Sequence, residues 1–110
     1  MDNLNLQQLF QLSQQMQSRM SALQQRLEKE SVTAQSGGGM VEVTADGKGN
    51  VRGIKLDPSV VDPEDVEMLE DLIVAAVSEA QRRARQRMEE EMKQATGGLP
   101  LPNLGGLLGG

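Results

Sequence analysis

From Leu6 to Leu27 the apolar residues return at alternating steps of three and four: Leu6, Leu9, Met16, Met20, Leu23 and Leu27, with Ser13 in the one remaining seam position. This is a heptad seam carried over about three repeats. It predicts one helix over residues 3–29. The outer positions are dominated by glutamine (Gln7, Gln8, Gln11, Gln14, Gln15, Gln17, Gln24 and Gln25), which favours helix and carries no charge. A helix of ~27 residues reaches about 40 Å at the standard rise. The rest of a 110-residue chain is too small to cover such a rod. The seam therefore calls for a second helix, and long amphipathic helices are expected to bury their stripes against a partner chain.

After Glu30 the apolar period changes from helical to alternating. Val32 and Ala34 alternate with polar residues, and Gly37-Gly38-Gly39 supplies a permissive turn. Met40 to Ala45 reads as a strand, with Val41 and Val43 on one face and Glu42 and Thr44 on the other. Asp46-Gly47-Lys48-Gly49-Asn50 is a strong hairpin signal. Val51 to Leu56 is the next strand, with Ile54 and Leu56 on one face; Val51 is out of phase with them, and Gly53 marks a bulge there. The expectation is a three-stranded antiparallel meander with one buried face.

Asp62-Pro63-Glu64-Asp65 reads as a helix start, with Asp62 as N-cap and Pro63 at the first helical position. The second helix is expected from Pro63 to about Gln94. Its stripe is Val66, Leu69, Ile73, Ala76, Val77, Ala80, Ala84 and Met88, narrowing from large residues to alanine. Methionines on these seams, Met16, Met20, Met88 and Met92, read as core. The fold class is thus α+β: a long N-terminal helix, a three-stranded antiparallel sheet and a long C-terminal helix. Residues 1–96 form one expected domain, and 97–110, a Gly/Leu/Pro tail without periodicity, are expected to be disordered.

Composition narrows the chemistry. The chain has no cysteine and no histidine, so it lacks thiolate chemistry and the commonest catalytic base. No cofactor motif is present. Gly37-Gly38-Gly39 joins two strands and reads as a turn, not as a phosphate-cradling loop, which belongs between strand and helix. Glu64, Asp65, Glu67, Glu70 and Asp71 read as a solvated helix face, since no calcium-loop spacing accompanies them. No catalytic and no metal residue is assigned, and the chain reads as a non-enzyme. No apolar run approaches the roughly 20 residues of a membrane span, and no signal-peptide pattern opens the chain. The expected location is the cytoplasm.

The net charge is −5, but its distribution is uneven. The segment from Asp57 to Glu79 carries eight acids and no base, and Arg82, Arg83, Arg85 and Arg87 follow it. On a helical wheel Arg83 and Arg87 flank the alanine stripe on one edge, and Arg82 and Arg85 lie towards the other. Guanidinium groups match phosphate oxygens bidentately. Arg19, Arg26 and Lys29 add a weaker basic component on the first helix. The residues alone leave two readings open: a phosphate-binding segment, or a solvated helix surface paired with Glu79, Glu89, Glu90 and Glu91.

The stretch from Val32 to Arg83 resembles the YbaB/EbfC family of bacterial nucleoid-associated proteins. The resemblance lies in Met40-Val41-Glu42-Val43-Thr44, then Gly47, then Ile54-Lys55-Leu56-Asp57-Pro58, and above all in Asp65 to Leu72 followed by a small-residue helix and the paired Arg82-Arg83. The first helix is similar more loosely, through its Gln- and Met-rich pattern. The resemblance covers about residues 4 to 95. It implies a tweezers-like homodimer that binds double-stranded DNA and associates with the nucleoid, affecting gene expression, nucleoid organisation or DNA protection. Gene neighbourhood in the family implies replication or recombination proteins as further partners. The DNA role carries onto Arg82 and Arg83, which match the family pattern; Arg85, Arg87, Arg19, Arg26 and Lys29 are proposed from charge and helical position only. The alternatives are a prefoldin-like scaffold holding apolar clients between helix tips, or an accessory protein-binding subunit.

Overall fold

A computed structural model describes residues 5–95. The element order is helix α1 (Leu6–Lys29), strand β1 (Ser31–Ser36), β2 (Val41–Asp46), β3 (Val51–Leu56) and helix α2 (Val66–Ala95), with 3-10 turns at Gly37–Gly39 and Pro58–Val60. The three strands form one antiparallel sheet in the order β1-β2-β3. The α+β expectation therefore holds. The tail expectation for 97–110 falls outside the described residues.

The helix starts differ from the sequence reading, and the caps explain why. Helix α1 begins at Leu6 because Asn5 caps it, its Oδ1 accepting from Gln8 N at 2.8 Å. Helix α2 begins three residues later than expected. Asp62 closes a turn instead, accepting from Glu64 N at 2.9 Å, and Asp65 takes the capping role, accepting from Met68 N at 3.3 Å. Two aspartates compete for the same job, and the second directs the continuous helix.

The core lies between α2 and the sheet. Ala34, Val41, Val43, Ala45, Val60, Ala76 and Ala80 are buried together, with Leu69, Leu72, Ile73 and Val77 packed against them. Ala76, Ala80 and Ala84 are the most deeply buried positions of α2, since small side chains let the helix approach β1 and β2 closely. Ser36 Oγ donates to Leu72 O at 2.6 Å, fixing the turn between β1 and β2 against α2. A smaller cluster of Leu23, Leu27 and Met92, with Met20, Met88 and Ala95, joins α1 to the far end of α2. Only the C-terminal half of the seam is covered; Leu9 and Met16 are exposed and Leu6 is 73% exposed.

The bulge expected near Gly53 is present. Thr44 pairs with Gly53 but Ala45 pairs with Val51, so Arg52 is the extra residue. The slip brings Val51 onto the same face as Ile54 and Leu56. Contrary to the expectation of a buried face, all of β3 is exposed, because α2 lies over β1 and β2 and stops short of it. The β2–β3 hairpin is built on Asp46, which is 1% exposed. Its carboxylate accepts from Lys48 N, Asn50 N, Asn50 Nδ2 and Arg52 Nη2 at 2.8–3.0 Å. Burial pushes this carboxyl up, but those donors outweigh it and hold it at about 2. Gly47 N donates to Leu27 O at 2.8 Å, which ties the hairpin to the end of α1.

Candidate nucleic-acid interface

The molecule is elongated, 73 × 24 × 18 Å, because both helices run well past the sheet. The arginine segment of α2 lies where that helix passes the edge strand β1 and continues alongside the end of α1. Its local sequence, alanines at Ala80 and Ala84 with arginines around them, buries a narrow line and leaves long side chains on both flanks.

Each basic residue singled out in the sequence has a definite environment. Arg82 donates through Nε to Glu79 Oε2 at 2.9 Å and through Nη2 to Glu79 Oε1. Arg83 donates through Nε to the same Glu79 Oε1 at 3.1 Å and through Nη1 to Thr33 O at 2.8 Å. Arg87 reaches Ser31 O at 3.4 Å and lies 3.7 Å from Glu30 Oε2. Arg83 and Arg87 therefore occupy the edge of α2 that the helical wheel predicts, and they spend part of their donor capacity on carbonyls of the edge strand β1. Such contacts blunt a strand edge against foreign pairing. Arg26 lies 3.6 Å from Glu91 Oε2. Arg19, Lys29 and Arg85 are exposed and have no hydrogen bond or ion pair among the described residues. Arg19 borders a shallow polar depression on α1 lined by Gln11, Gln14, Gln15 and Ser18.

The structure thus sorts the basic residues into three sets. Arg82 and Arg83 converge on one carboxylate; Arg87 and Arg26 flank the Glu30–Glu91 pair at the junction of α1 and α2; Arg19, Lys29 and Arg85 face solvent with full charge. Guanidinium groups in the first two sets keep unused N–H donors. The residue that sequence reasoning undervalued is Glu79. Its spacing of three and four from Arg82 and Arg83 was the available signal, since such steps place side chains side by side on a helix.

Comparison with known proteins settles the family. The chain matches the YbaB/EbfC DNA-binding family over residues 1–99. It belongs to that family. A nucleoid-associated protein of Rhodospirillum rubrum is 48% identical over 98 residues, covering 89% of this chain and 92% of that protein. A nucleoid-associated protein of Paramagnetospirillum magneticum is 50% identical over 98 residues, with the same coverage of 89% and 92%. In Clostridium novyi, a nucleoid-associated protein is 44% identical over 101 residues, 92% of this chain and 89% of the relative. The crystal structure of a Helicobacter pylori protein superposes with a TM-score of 0.76 at 24% identity, covering 84% of this chain and 97% of that one, and so shares the fold. YbaB/EbfC is a DNA-binding family rather than an enzyme family. Among the described residues no helix is long and apolar enough to cross a membrane, and no three carboxylates gather closely enough to hold a metal ion.

Proposed function

We propose that this YbaB/EbfC protein binds double-stranded DNA as a homodimer in the nucleoid, holding the duplex between projecting helices. The observation that carries the reading is the concentration of basic side chains on the paired helices. Arg82, Arg83, Arg85 and Arg87 lie on α2, and Arg19, Arg26 and Lys29 on α1, while the acids from Asp57 to Glu79 precede the arginine segment and Glu89, Glu90 and Glu91 follow it. Guanidinium groups would neutralise phosphates and release counterions. No aromatic side chain is available on this surface for base stacking, since the only one is Phe10. Binding is therefore electrostatic, with weak sequence preference.

The homodimer is supported by what this chain leaves uncovered. Val51, Ile54 and Leu56 of β3 are exposed on the α2 side of the sheet, and β3 is an edge strand. Apolar side chains along a free strand edge mark an association surface. Two copies joined there would place two helix pairs around a common centre.

Fluorescence anisotropy with a ~30-base-pair duplex of random sequence, over a salt series, tests this reading. Affinity that falls linearly in log–log form, with several counterions released, is the expected result. A dimer by light scattering that leaves the duplex unbound at low salt would overturn it. That outcome favours a prefoldin-like scaffold, for which the exposed Leu6, Leu9, Phe10, Leu12 and Met16 of α1 would be the client surface.

A further inference from the structure

Glu79 stands between Arg82 and Arg83 and occupies both. Arg82 presents to it the Nε–Nη2 edge of the guanidinium, the edge used for bidentate recognition of a carboxylate or a phosphate. Arg83 gives it Nε at 3.1 Å. A single carboxylate therefore sits where a phosphate would sit and cancels one of two adjacent positive charges. We propose that Glu79 sets the DNA affinity of this segment, acting as an internal phosphate mimic that the duplex must displace; this rests on the DNA-binding reading above.

Glu79 remains an anion throughout any practical binding experiment. The hydrogen bond from Arg82 leads in lowering its carboxyl, partial burial opposes, the bond from Arg83 adds, and the result is about 2. Displacement is nonetheless cheap, because all three side chains are in contact with solvent, and ion pairs in such settings are weak. Pre-organisation is the competing role, and the geometry argues against it for Arg83. That side chain is also held by Thr33 O at 2.8 Å, so it keeps its direction when Glu79 is removed. Arg82 has no second anchor among the described residues, but more than half of its side chain is already in solvent. Removing the carboxylate thus frees the Arg82 edge and raises the effective charge of each helix by one.

The test compares Glu79→Gln and Glu79→Ala with Glu89→Gln in the same anisotropy assay on the full chain. Glu89 is an exposed acid of α2 with no hydrogen bond or ion pair among the described residues, so its variant changes net charge equally without freeing a guanidinium. Both Glu79 variants are expected to bind roughly three- to tenfold tighter at ~0.1 M salt, with a log–log salt slope steeper by about one to two units for a dimer. Glu89→Gln is expected to change affinity less than about twofold, because it removes the same charge without releasing a guanidinium edge for phosphate. Unchanged or weaker binding of the Glu79 variants, with circular dichroism and oligomeric state intact, would overturn the inference while leaving DNA binding in place. Equal gains from Glu79→Gln and Glu89→Gln would also overturn it, since net charge alone would then account for the effect. Failure of the wild-type protein to bind at low salt would instead strike the DNA reading itself and take this inference with it.

Discussion

Val43 and Ile54 stand directly opposite one another across β2 and β3, yet Val43 is fully buried and Ile54 is 43% exposed. Directly opposed residues share a face, so the difference comes from coverage: α2 packs over Val43 and ends its reach before Ile54. Charging Ile54 should then leave the protomer folded and abolish the proposed dimer. Ile54→Glu is expected to give a monomer by light scattering with unchanged helical circular dichroism, weakening association by at least about 2 kcal/mol if Ile54 is a central contact. A variant that stays dimeric would place the interface elsewhere.

Much of this architecture was legible in the sequence because the signals are local. The heptad seam of α1, the alternation in β1 and β2, the Asp46–Asn50 hairpin and the Gly53 bulge each rest on residues within a few positions of one another. The pairing of the arginines was less legible. Arg83 meets Thr33 O from 50 residues away and Arg87 meets Ser31 O from 56. No helical wheel gives the position of an edge-strand carbonyl. The exposure of β3 was hidden for a related reason: a strand with apolar residues on one face reads as covered, and only the placement of α2 reveals that its cover is missing.

Arg85 and Arg83 separate the structural contacts of arginine on this helix from the proposed contact with DNA. Arg85 has no intramolecular partner among the described residues, so Arg85→Glu is expected to leave stability within about 0.5 kcal/mol. Its effect should appear in DNA affinity, roughly a fivefold or greater loss, with a shallower salt slope. Arg83→Glu leaves Thr33 O without its donor and sets a second acid beside Glu79, so it should also cost about 1 kcal/mol in urea denaturation. Equal stability losses from the two would contradict the division.

Gly47 carries the contact between the hairpin and α1. A Cβ there would lie 2.8 Å from Leu27 O and 2.9 Å from Leu27 Cδ2, and the first of these is backbone that the Gly47 N–H itself binds. Gly47→Ala must separate the hairpin from the end of α1 and should destabilise by roughly 2–3 kcal/mol, as overpacking against fixed backbone does. Gly53→Ala is the control. Nothing lies within 4 Å of its Cβ position, so it should change the urea midpoint little.

Glu30 and Glu91 predict the pH response of the junction between the helices. Each has a buried Oε2 with no hydrogen-bond donor. Arg87 and Arg26 stand off at 3.7 and 3.6 Å. A proton on the Glu30 carboxyl would supply the missing bond to Glu91, and this is the leading cause that raises Glu30 above 4.5; burial and the charge of Glu91 act in the same direction, while Arg87 and Arg26 oppose. A carboxyl raised in the fold stabilises when protonated. Its contribution is complete below 4.5 and is lost as pH rises through the raised value. Asp46 has the opposite sign: held at about 2, it stabilises above 3.8 and loses that contribution as pH falls towards 2. Glu91→Gln replaces the Glu30 proton by a permanent amide donor. It is expected to stabilise the protein by about 0.5–1.5 kcal/mol at pH 7.5 and by much less at pH 4, where Glu30 itself carries the proton. Urea denaturation at the two pH values measures the difference. An equal change at both would show that no proton is shared between these side chains.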